Sequence, residues 1–212
     1  MSDPDVLIVF HGINDLQPAA HRPFDRQYEH GHAEITEIAL GFHLPPLRWF
    51  ERSVLYEQAR ALALAPQDPW RRLEEPVREG ETLPTSISGA GVATFRRNVA
   101  SLLALARARG IPVLLVTQTL RIRAAEAAKD RRWLAGWTRL DPGAAVRDIE
   151  AMNAVLRGLG SDQVRVADLA ASLPLDDRDF ADPAHFSASG SAKMARYMAV
   201  EVAPLLASRA PR

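Results

Sequence analysis

The chain has 212 residues, 47% of them apolar and 25% charged, with 26 basic against 26 acidic side chains and no cysteine. That length and balance fit one globular domain with a sizeable core. They exclude a disordered chain and a strongly basic binder of nucleic acid or anionic lipid. Without cysteine there are no disulfides, thiolate zinc sites or cysteine nucleophile. No run approaches the roughly 20 apolar residues of a membrane span. The polar start Met1-Ser-Asp-Pro-Asp5 does not read as a signal peptide, so the chain as it stands is expected in the cytoplasm, with export left open for a longer form.

Val6 to Phe10 is a short continuous apolar run ending at His11-Gly12. It reads as a strand buried on both faces, as in parallel sheets. Residues 17–91 read as a long lid-like insertion. It holds His21, His30, His32, His43 and an amphipathic stretch from Leu47 to Leu64. A helix follows from about Thr94 to Arg109, with Gly110 as its C-cap, and then a second strand from Pro112 to Thr117. About Leu120 to Pro142 reads as irregular and carries Trp133 and Trp137. A helix from about Ala144 to Leu159, a strand from Gln163 to Asp168 and a last helix from about Ser189 to Leu206 complete the chain. This alternation predicts one α/β domain, 1–212, around a parallel sheet.

Two short motifs carry chemistry. His11-Gly12-Ile13-Asn14-Asp15 leaves the first strand where parallel sheets form their ligand crevice. There Gly12 permits a tight exit, and the Asn14 amide could donate to a developing oxyanion; the bland alternative is turn chemistry. Asp182-Pro183-Ala184-His185 precedes the last helix. Its spacing can return a carboxylate to the imidazole, fixing the tautomer and freeing the other nitrogen as a base; the alternative is a turn and a helix cap.

Together, the Gly12-Ile13-Asn14-Asp15 block and the Asp182 to Gly190 block resemble the SGNH (GDSL-type) serine hydrolases. The intervening strands and helices fit over nearly the whole chain. The resemblance implies a three-layer α/β/α flavodoxin-like sheet of order 2-1-3-4-5 and an acyl-enzyme route to ester hydrolysis. It assigns His185 as base, Asp182 as its orienting partner, and Asn14 and Gly12 to the oxyanion hole. No metal or organic cofactor is implied. The substrate would be a small-molecule ester, such as a carbohydrate acetyl or a lipid ester, with no nucleic-acid partner.

The family's serine lies in a Gly-Asp-Ser block, which this sequence lacks. The resemblance therefore implies that the first strands, the nucleophile and one oxyanion donor are missing, most simply through a frame begun at an internal methionine. No serine here takes that place: Ser86 and Ser88 read as a loop leading to a helix start. The chain alone is expected to be nearly inactive, because loss of the nucleophile costs about 10⁶ in kcat in a comparable hydrolase. An open strand edge is expected to invite a complementing N-terminal chain or self-association. The alternative reading is a non-catalytic fragment or pseudoenzyme that binds a partner chain or glycan.

Several other residues are weighed beside these. Asp15, Thr117 and Gln118 are candidates for the substrate pocket, with Asp15 also read as fixing the turn that aims Asn14. His30-Gly31-His32, with Glu29 and Glu34, reads as solvated rather than as a metal site. Trp49, Trp70, Trp133 and Trp137 read mainly as packing residues. Arg121-Ile122-Arg123 and Arg131-Arg132 read as a solvated face.

Overall fold

The structure is a computed structural model that describes residues 4–20, 77 and 80–207. The greater part of the expected lid, including its four histidines, the stretch Leu47 to Leu64, Trp49 and Trp70, lies outside the described residues.

Three parallel strands form the sheet, β1 (Leu7–Phe10), β2 (Val113–Val116) and β3 (Val164–Ala167), in that order. Leu7 pairs with Val113, which in turn pairs with Val164. All four residues of β2 are buried, as its unbroken Val-Leu-Leu-Val run requires of a central strand. The chain is thus α/β with a parallel sheet, and its strands fall within the three segments read as strands.

Six α-helices occur among the described residues: α1 (Ile13–Ala20), α2 (Gly89–Ala108), α3 (Ala127–Thr138), α4 (Pro142–Arg157), α5 (Leu169–Ser172) and α6 (Ala188–Ala207). The larger core joins Leu16 of α1, Phe95 and Val99 of α2, Leu134 of α3 and Met152 of α4 to Val113 and Leu115. The opposite face, Leu114 and Val116, packs with Ala167, Leu169 and the α6 residues Met194, Tyr197 and Met198. Helices therefore cover both faces. The cover on the second face thins at β1, which corrects the expectation of a strand buried on both faces. Ile8 and Phe10 pair with the fully buried Leu114 and Val116, yet are 46% and 38% exposed.

Local capping explains the helix boundaries. The Ser88 hydroxyl accepts from the Gly91 N–H at 2.9 Å and starts α2 several residues before Thr94. Here Ser88 is the helix cap, in keeping with its reading as a loop residue. Asp141 caps α4 through the Ala144 N–H at 3.0 Å, with Pro142 in the first turn, where its missing N–H has no cost.

Two segments differ from expectation. Residues 13–20, read as turn and insertion, form α1; residues 127–138, read as irregular, form α3. The buried side of α3 mixes Leu134 and Ala135 with Asp130 and Thr138, which blurs its apolar period.

Candidate active site

Gly12 leaves β1 with φ +154°, a conformation rarely open to residues with side chains. The chain then turns directly into α1. The Gln118 side-chain oxygen accepts the Ile13 N–H at 2.9 Å, and the Gly12 carbonyl accepts the Asp15 N–H at 3.1 Å. His11 Nδ1 lies 2.6 Å from the Asp15 carboxylate. These contacts bracket Asn14, which is exposed on the first turn of α1.

Gln118 is itself fixed from behind. Its backbone N–H donates to Asn153 Oδ1 and its carbonyl accepts from Asn153 Nδ2, both at 2.8 Å. Thr117 donates to Asp168 at 2.9 Å and accepts from the Ala170 N–H at 3.0 Å. Arg157 grips Asp168 through two nitrogens, at 2.7 and 2.9 Å. That grip, opposed by partial burial, holds the Asp168 carboxyl below its usual range.

Thr117, Gln118 and Asp15 are all buried. Each is tied to a neighbouring element or turn: Thr117 to Asp168, Gln118 to Ile13 and Asn153, and Asp15 to Gly12 and His11. The expectation that Asp15 fixes the turn fits its contacts.

The second motif forms a compact loop. Asp182 Oδ1 accepts the N–H groups of Ala184 and His185, each at 2.9 Å. Its Oδ2 lies 2.7 Å from His185 Nδ1. Burial opposes the Asp182 charge, but these backbone N–H groups and the His185 ring outweigh it and hold the carboxyl below its usual range. An ionised carboxylate only accepts, so Nδ1 carries the proton and Nε2 is left basic. The His185 side chain is 73% exposed, with the Trp133 ring edge-to-face at 6.2 Å.

The loop is closed by the Ala181 N–H donating to the His185 carbonyl at 2.8 Å. Asp179 anchors it to α6. Its buried carboxylate takes hydrogen bonds from Lys193 at 2.6 Å, the Asp176 N–H at 2.9 Å and Ser189 at 2.9 Å. Those donors, Lys193 foremost, lower its pKa to about 2.

Aromatic packing brings the two motifs together. Phe10, just before His11, stacks on Phe186, just after His185, with ring centroids 6.3 Å apart. The Arg121 N–H donates to the Pro183 carbonyl at 2.9 Å, tying the chain beyond β2 to the same loop. Asn14 and His185 therefore belong to one end of the sheet, beyond the C-terminal ends of its strands.

The serines beside the dyad are engaged otherwise. Ser187 donates to the Arg178 carbonyl at 2.6 Å, and Ser189 to Asp179. Sequence reasoning missed three supporting groups: Asp179, Asn153 and Arg123. Arg123 corrects the reading of the arginine pair as a solvated face. It is buried against Asp130, and Arg121 bonds Asp177 at 2.7 Å.

No family model, curated protein or solved structure matches this chain. No helix among the described residues is long and apolar enough to cross a membrane.

Proposed function

We propose that this chain is the C-terminal part of a serine-type ester hydrolase site of the SGNH kind, on a flavodoxin-like sheet. In this reading His185 takes a proton from a serine hydroxyl as that oxygen attacks an ester carbonyl, then returns it to the departing alcohol. Asp182 holds the ring in the Nδ1–H form and stabilises the imidazolium. Asn14 donates its side-chain N–H to the tetrahedral oxyanion, and Gly12 gives the backbone room for that turn. An acyl-enzyme forms and water hydrolyses it.

The observation that supports this reading most is the 2.7 Å His185–Asp182 contact. Its carboxylate is held by two backbone N–H groups, and the imidazole stands exposed beside the end of a parallel sheet. The order β1-β2-β3 matches the last three strands of the 2-1-3-4-5 sheet that the resemblance implies. The nucleophile is not assigned, since the sequence has no Gly-Asp-Ser. By itself the chain would at most activate water weakly.

The test is turnover of aryl acetates by the longest open reading frame that contains these residues. His185→Ala should abolish it, and Asn14→Ala should lower kcat by about 10²–10³ with little change in KM. Turnover unchanged in His185→Ala would overturn the reading.

A second reading, a non-catalytic chain that binds a partner, is favoured by the exposed Ile8 and Phe10 on a strand paired, among the described residues, with β2 alone. An open frame without a strand followed by Gly-Asp-Ser would favour it.

A further inference from the structure

We propose that Arg123 is a positioning residue that holds the Asp182–His185 loop in its working shape. This inference rests on the proposed function only in taking that dyad as the base.

Arg123 follows β2 and is buried. Its guanidinium divides its donors between two structures. Nε and Nη2 form a fork on the Asp130 carboxylate at 2.9 and 2.6 Å, and Nη2 also reaches Glu126 at 2.7 Å. Nη1 donates to the Ala181 carbonyl at 2.6 Å, with Phe180 O farther off at 3.4 Å. Ala181 directly precedes Asp182, and its N–H closes the loop onto the His185 carbonyl.

The guanidinium is held in turn. Asp130, on α3, is 1% exposed and also accepts the Arg123 backbone N–H at 2.8 Å. That fork, opposed by burial, lowers the Asp130 pKa and raises that of Arg123, toward which the Asp182 charge also contributes. Both charges of the pair therefore persist across the working pH range. One turn further along, α3 carries Trp133, whose ring meets His185 edge-to-face. Arg123 thus couples α3 to the backbone immediately before the dyad. Lysine cannot do the same, because it lacks the planar fork that serves carboxylate and carbonyl together.

Two variants of the full chain test this. Arg123→Lys keeps a cation for Asp130 and loses the fork. The double variant Arg123→Met with Asp130→Asn removes both charges, while the asparagine still offers an acceptor to the backbone N–H of residue 123. The readout is the tautomer of neutral His185, from the ring ¹⁵N shifts, with circular dichroism reporting the fold. Wild type should be Nδ1–H. Both variants should keep their secondary structure and lose the predominance of that form, since the Asp182 carboxylate selects Nδ1–H over the Nε2–H tautomer favoured in water only while the Arg123–Ala181 bond holds the loop in register.

A folded variant that retains the wild-type tautomer overturns the brace and leaves the dyad standing. A wild-type ring in the Nε2–H form overturns the dyad, and with it the proposed mechanism. An Arg123→Lys chain that does not fold also counts against the proposal, since Arg123 then has no role separable from stability.

Discussion

His11 and Asp15 face each other across the turn that presents Asn14. The hydrogen bond that His11 donates to Asp15 raises the His11 pKa, desolvation opposes the rise, and the Asp15 charge adds to it. In the unfolded chain a histidine titrates at about 6.5. The folded value is higher, so the stabilisation is complete below the unfolded value and is lost as pH rises through the folded one. Amide exchange of residues 13–15, corrected for its intrinsic pH dependence, should therefore accelerate in wild type as pH rises above the unfolded value. In His11→Gln it should be flat. Matching profiles in the two chains would show that the pair does not hold the turn. The dyad was legible at this scale because both of its members lie in one four-residue motif. The support from Gln118 was not, because its partner Ile13 lies at the far end of the chain.

Helix contacts offer a sharper trial of packing. A Cβ added at Gly91 of α2 would fall 2.5 Å from Ala19 Cβ and 2.8 Å from Ala19 Cα, whereas one at Gly89 would meet nothing within 4 Å. Gly91→Ala should destabilise by about 1–3 kcal/mol, because the α1 backbone must move away. Gly89→Ala should not. Urea unfolding of both variants measures the difference, and equal midpoints would contradict the α1–α2 contact. The first two strands could be read from sequence as continuous apolar runs with turn residues at their ends, and the third, interrupted by Arg165, from its place after a helix. Helix α3 could not, since half of its buried side is polar and becomes intelligible only once Arg123 is seen to enter the fold. Likewise, an arginine pair resembles a solvated face until the partner aspartate seven residues later is placed beside it. Helix α1 is eight residues long and contains Pro18, so its period is too short to register.

At the scale of the whole molecule, the exposed Ile8 and Phe10 lie beside strand partners that are fully buried. Strand backbone and apolar side chains exposed together favour pairing with another chain. Sedimentation at micromolar concentration should show association of the wild-type chain, and Ile8→Lys should shift it toward monomer. A wild-type monomer would argue against an open edge. The two halves of the site also differ in how they are assembled. Asp182 orients a ring three residues away, so the short loop that places the base is its own template and closes at small entropic cost. Asn14 comes from the opposite end of the chain and meets that loop only through the assembled sheet. Partial opening at β1 would therefore withdraw Asn14, the proposed oxyanion donor, while leaving the Asp182–His185 pair intact. The site would fail by separation of its parts before any one part loses its shape.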